Sequence, residues 1–221
     1  MKKVIIIGGK GTAVVIAEQI LDASERYGCK LKVEGFAFDD PAFRNGINGW
    51  PVLCGTREAY PKYKDDPDVF FLFSMFRSDK IRERGMLCES YGVPIERWLT
   101  FIHPSSIVCK SAKIGPGTVI LANSVINSNV EIGRNTIIQA SVVVEHDTRI
   151  GDYNFLSAHS CLGSEIRIGK YNFIGLNSTV RTFVEIGENN IIGMGSVVLN
   201  NYGNNMVIVG NPAKPLRNNL S

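Results

Sequence analysis

The sequence predicts a mixed fold: a small Rossmann-like α/β domain over residues 1–102, followed by a parallel β-helix over residues 103–221 that ends in a C-terminal cap. Three observations predict it. An aliphatic residue recurs every six positions from Val108 to Val198, glycine often follows that residue, and the first hundred residues alternate buried-strand and amphipathic-helix patterns.

The repeat runs Val108, Ile114, Ile120, Ile126, Ile132, Ile138, Val144, Ile150, Leu156, Leu162, Ile168, Ile174, Val180, Ile186, Ile192, Val198 without a slip. Four residues after the aliphatic, the side chain is mostly small or β-branched, as at Thr118, Ser124, Thr136, Ser160, Ser178 and Ser196. Six matches no helical period. A unit with one large and one small inward residue, and Gly, Asn or Asp between them, describes a short strand and a sharp bend. Three units close a triangular coil, and coils stacked about 4.8 Å apart pair every backbone amide with the coil above or below. A β-sandwich would show period two and irregular spacing instead.

In the N-terminal part, Val4 to Gly9 (VIIIGG) reads as a buried strand, Lys10 to Thr12 as a turn, and AVVIAEQILDASERYG as a helix ending near Gly28. KVEGFAF is a second strand that ends in Asp39 and Asp40, FFLFSMF is a third, and SDKIRERGMLCESYG is a charged helix. This order implies a small parallel sheet with helices on it. The glycines between strand and helix suit a phosphate, though they equally permit a tight turn. An acidic residue after the second strand is where such folds meet a ribose or base.

Apolar residues make up 44% and charged residues 20% of the chain, with a net charge of +3, so a sizeable core is expected and disorder is not. Lys and Arg are spread among acidic neighbours, which argues against nucleic acid as a partner. Gly8 and Gly9 cut the apolar start short of a signal or membrane segment, so a cytoplasmic protein without membrane insertion is expected. The five cysteines lack C-x-x-C spacing, and the three histidines lack the spacing of a zinc site, so no metal is expected.

His146 stands out. It lies two places beyond the inward Val144, at an outward bend, where an imidazole can take a proton near neutral pH. Asp147 beside it is placed to orient the ring and stabilise its charged form. Nothing adjacent to Cys161 would activate its thiol as a nucleophile.

On the hexads the chain resembles the hexapeptide-repeat acyltransferases, which build left-handed parallel β-helices and assemble as trimers. On IIIGGKGT, GFAFDDP, GWPVLCG, IHPSSIV and the hexads together, it resembles the sugar acetyltransferases that include the sialic acid O-acetyltransferases and the bacillosamine and perosamine N-acetyltransferases. The resemblance implies transfer of an acetyl group from acetyl-CoA to an amine or hydroxyl of a nucleotide-linked sugar by a homotrimer, with His146 as the base. It implies Gly9, Lys10 and Gly11 at the pyrophosphate and Asp39 or Asp40 at the nucleoside of the acceptor. It places the coenzyme on the later coils, with Gly163, Gly175, Gly193 and Gly195 along the pantetheine and, in VIVGNPAKPLR, Pro212 in the turn that ends the prism beside the coenzyme and Lys214 or Arg217 at the nucleotide phosphates.

Two positions depart from the pattern. Relatives commonly carry Asn-Thr where this chain has Gln139 and Ala140, and a second histidine where it has Phe155, both near acceptor or thioester. Gln139 is thus an expected acceptor contact, and His159 is a candidate substitute for the missing histidine. The alternatives are another small acceptor, such as free sialic acid or serine, and a non-catalytic β-helix that binds a sugar nucleotide.

Overall fold

The fold is that of a computed structural model, which describes residues 1–220. The chain divides into two compact units, residues 1–75 with 87–99, and residues 76–86 with residue 100 onward. The division expected from sequence, between 102 and 103, does not include the excursion of 76–86.

The first unit is a parallel sheet of β1 (Lys2–Ile7), β2 (Leu31–Ala37), β3 (Val52–Cys54) and β4 (Val69–Phe73), in the order β3-β2-β1-β4. Its helices are α1 (Thr12–Tyr27) and the short α2 (Ala59–Tyr63), and α3 (Ile81–Ser90) runs from the second unit into the first. Val4 to Ile7 are wholly buried because β1 is paired on both edges and covered on both faces. Helix α1 buries Ala13, Ile16, Ala17, Ile20 and Ala23, one stripe at helical spacing, and ends on the left-handed Gly28. β4 stops at Phe73, three residues before the FFLFSMF run does, and the next residue's hydroxyl, that of Ser74, donates to the carbonyl of Ile7. A side chain at Gly8 would overlap that hydroxyl, so glycine is required there. The short β3, within GWPVLCG, has no alternation long enough to read from sequence.

The second unit is a left-handed parallel β-helix. Its two-residue strands pair in register eighteen residues apart, as in Ile138 with Leu156 and Leu156 with Ile174, so each coil is three hexads. The sixteen aliphatics point inward and form one continuous core, with Val108 and Ile114 at its partly buried end. The three faces differ in what they present outward. One shows Lys113, Glu131, Arg149, Arg167 and Glu185, and is charged. A second shows Phe101, Val119, Ile137, Phe155, Phe173 and Ile191, and part of it is covered by residues 76–86, where Phe76 meets Phe155 edge-on. The third shows Ile107, Val125, Val143, Cys161, Thr179 and Val197, and is apolar.

Every sixth residue turns a corner at positive φ, including Asn129, Ser141, Asp147, His159, Asn177 and Phe183. Asn and Asp tolerate this conformation best, which explains their recurrence between the aliphatics. One corner carries a buried polar ladder: Thr118, Thr136, Asn154, Asn172 and Asn190 each accept the backbone N–H of the residue one coil on. Asn172 also donates to the carbonyl of Gly187 at 2.9 Å. Asn172→Ala is therefore expected to lower stability by roughly 2–4 kcal/mol, since it orphans a buried N–H and a buried C=O. Thermal unfolding checks this, and an unchanged midpoint would show that the ladder is dispensable. The prism ends in a hairpin of Met206–Gly210 and Ala213–Asn218. Among the described residues no helix is long and apolar enough to cross a membrane.

Candidate active site

His146 and Asp147 form the turn that leads from the apolar face to the charged face. The inward Val144 anchors this turn from below, and the αL conformation of Asp147 (φ 60°) throws both side chains outward. His146 Nδ1 lies 2.7 Å from Asp147 Oδ2, and the side chains are 48% and 47% exposed, enough for a substrate to reach the ring. An ionised carboxylate can only accept, so Nδ1 carries the proton and Nε2 presents a lone pair. The contact with His146, followed by a hydrogen bond from Asn129, holds the Asp147 carboxyl below the usual carboxylate range. Asp147 is thereby an anion at neutral pH.

Further carboxylates and amides flank the pair. Asn129 Nδ2 donates to Asp147 Oδ1 at 3.0 Å, and Asn127 Nδ2 donates to Glu145 Oε2 at 3.0 Å. Neither asparagine is singled out by the sequence reading. Their signal is the eighteen-residue coil period, which sets 127 and 129 directly below 145 and 147. A polar groove of about 790 Å³ runs along this corner and the charged face, lined by Asp147, Arg149, Glu165, Arg167 and Phe183 among others.

The other expected residues fall in three places. Gln139 and His159 belong to a different corner, between the covered and apolar faces, so within one chain His159 does not stand beside His146. Gly175, Gly193 and Gly195 line that same corner, whereas Gly163 follows the strand Cys161–Leu162 and stacks one coil above Glu145. A side chain at Gly163, Gly175 or Gly193 would collide with the next coil, so coil stacking alone demands three of these glycines. Gly195 is open and at φ 66°. Pro212 sits in the turn of the terminal hairpin, and Lys214 projects from its exposed last strand.

In the first unit, Gly9, Lys10 and Gly11 follow β1 and line a hollow of about 380 Å³ with Phe43 and Asn48. Strand order reverses between β1 and β4, and their carboxyl ends form the crevice where such sheets bind ligands. Lys10 pairs with Asp40 at 2.9 Å and lies over the Phe43 ring. Asp39 is occupied: its two oxygens accept from the backbone N–H and the hydroxyl of Thr56, at 2.8 and 2.7 Å. Asp40 accepts from the backbone N–H of Ala42 and holds Lys10, and its pKa is lowered first by Lys10.

His103 is buried, with Nδ1 accepting from the Ser105 backbone N–H. Burial pushes the Cys161 thiol up, and Glu145 adds to this, the reverse of what a nucleophilic thiolate requires. Among the described residues no group of three or more His, Cys, Asp or Glu is arranged to hold a metal ion.

Residues 129–164 and 165–200 match the family described as bacterial transferase hexapeptide (six repeats). UDP-N-acetylbacillosamine N-acetyltransferase of Bacillus subtilis (strain 168) is 36% identical over 123 residues, which span 55% of this chain and 52% of that relative, about half of its length. Among solved structures, a point mutant of the perosamine N-acetyltransferase of Caulobacter crescentus in complex with CoA and GDP-perosamine superposes with a TM-score of 0.84 at 27% identity, covering 99% of this chain and 98% of that one. The acetyltransferase domain of PglB from Neisseria gonorrhoeae FA1090, in complex with acetyl coenzyme A, gives 0.81 at 25% identity and covers 97% and 99%.

Proposed function

We propose that this chain is a bacterial hexapeptide-repeat transferase and moves an acetyl group from acetyl-CoA to an amino group of a nucleotide-linked sugar. The observation that carries this reading is an imidazole held by a carboxylate at its Nδ1 on an open corner of a β-helix, in a chain similar over its full length to enzymes of that chemistry. The sugar amine attacks the thioester carbonyl, its proton passes to His146 Nε2, and collapse of the tetrahedral intermediate expels the coenzyme thiolate. The acyl group goes directly from thioester to amine, since the Cys161 thiol is held protonated. Gly9, Lys10 and Gly11 receive the pyrophosphate of the acceptor. Lys10 exchanges Asp40 for phosphate on binding, and Asp40, freed from Lys10, is the better of the two acidic residues for the nucleoside, because Asp39 is fully bonded to Thr56.

The active unit is a homotrimer closed on the apolar face, and it works in the cytoplasm, where acetyl-CoA and nucleotide sugars are supplied. Within residues 101–210, the exposed large hydrophobics are Ile107, Leu176, Phe183 and Met194, and all four lie on the apolar face or on the two corners that bound it. Three prisms packed on this face bring the His146 corner of one chain against the Gln139 and His159 corner of the next. The open imidazole then gains a wall that bears Gln139, Gly175, Gly193 and Gly195, with Gly163 contributed by its own chain.

Incubating the protein with acetyl-CoA and a panel of UDP- and GDP-linked amino sugars, and following thiol release, tests the reaction. Acetylation of at least one such amine is the expected result. Thiol release with only free amino acids or free sugars would reject the nucleotide-sugar assignment.

A further inference from the structure

We propose that Asn129 is a positioning residue for His146 and acts through Asp147. This rests on the reading of His146 as the base. The carboxylate of Asp147 has two oxygens, and each has one partner: Oδ2 receives the imidazole Nδ1–H at 2.7 Å, and Oδ1 receives the Asn129 amide at 3.0 Å. A half-exposed imidazole and carboxylate gain little from each other alone, because water competes for both and the side chains rotate freely. A third group fixed to the scaffold removes that freedom. Asn129 is so fixed, since its own turn is closed at φ 60° and its backbone N–H donates to Ser111 Oγ at 3.0 Å, one coil below.

The surroundings make this hold consequential. Glu145 precedes His146, Glu165 sits one coil above with its backbone N–H on the His146 carbonyl, and Arg149 lines the same groove. The Glu145 carboxylate accepts from the Asn127 amide at 3.0 Å, and the Asp147 carboxylate accepts from Asn129. Two amides, two residues apart on one coil, thus each hold one of the carboxylates that flank His146 in sequence on the next. A free imidazole in water prefers the Nε2–H tautomer, which has no lone pair at Nε2. The Asn129–Asp147 pair inverts this preference and leaves Nε2 ready to accept.

Asn129→Gly tests the inference, since glycine keeps the left-handed turn without strain and removes only the amide. Asn205→Gly, at φ 58° on the corner remote from the apolar face, reports the generic cost of that exchange. Nitrogen NMR of the His146 ring in the full-length protein should show the Nδ1-protonated share falling in Asn129→Gly and unchanged in Asn205→Gly. With acceptor and acetyl-CoA, kcat should fall about tenfold in Asn129→Gly, roughly one hydrogen bond's worth of orientation. KM for acetyl-CoA should stay within about twofold. In an Asp147→Ala background, Asn129→Gly should cost nothing further. An unchanged tautomer, an equal loss in both backgrounds, or an equal loss in Asn205→Gly would overturn the proposal. The ring measurement needs no turnover, so it decides the role of Asn129 even if His146→Ala proves active and the catalytic reading fails.

Discussion

His146→Ala is expected to lower kcat by at least about 10²-fold while leaving the affinity for acetyl-CoA nearly unchanged. A general base touches the proton that leaves the acceptor and no part of the coenzyme, and such bases contribute about 10²–10⁴-fold. Steady-state rates with the best sugar of the panel, together with calorimetric binding of the coenzyme, check both halves. Activity within about threefold of the parent would remove His146 from the mechanism. Asp147 adds a pH reading. It is held in its charged form by His146 and Asn129, so its depressed pKa keeps it ionised to pH values below the ordinary carboxylate range. Carbon NMR of the Asp147 carboxyl should show it titrating below that range, and titration within or above the range would show that the pair does not hold in solution.

Val143→Glu should break the assembly and abolish activity together. Val143 points outward from the middle of the apolar face, in register with Val125 below and Cys161 above. Three copies of the face meeting around one axis would bring three carboxylates into an apolar contact with no cation to pair them. Light scattering should report about three times 24.3 kDa for the parent and the chain mass for the variant. The fold of the variant should persist, because the backbone pairing and aliphatic ladders are internal to each prism. A sharper version mixes two inactive chains, His146→Ala and Ala140→Trp, the second blocking the corner that would face a neighbour's imidazole. Random mixing gives about a quarter of sites with both corners intact, so activity should reappear at about that level. A parent that sediments as a monomer, or verified mixed trimers without recovery, would refute the shared site.

A large residue at Gly175 would not probe a coenzyme wall, because its Cβ would already meet the backbone of Met194 in the next coil. Such a variant would report on stacking and not on the coenzyme, which is why Ala140, at an outward turn, is preferred.

What the sequence determined by itself was whatever repeats or stands alone. The hexad fixes the prism, because a six-residue period with one inward aliphatic has few other physical solutions, and the core contains the aliphatics that the spacing names. His146 was legible for the same reason: its distance from Val144 puts it at a corner and denies it the interior. The α/β character of the first unit followed from VIIIGG and the amphipathic stripe of α1. Tertiary structure alone decided what depends on a partner distant in sequence. That Asp39 is committed to Thr56, that Lys10 is closed on Asp40, and that residues 76–86 pack with the prism are properties of pairs 17, 30 and some 80 residues apart, such as Phe76 with Phe155. Asn127 and Asn129 belong with them: the period tells that they lie one coil below Glu145 and Asp147, but only the rotamers chosen in three dimensions make amides meet carboxylates there. Spacing fixes where a backbone goes, and side-chain partnership is settled by whichever neighbour completes each buried or charged group at the lowest cost.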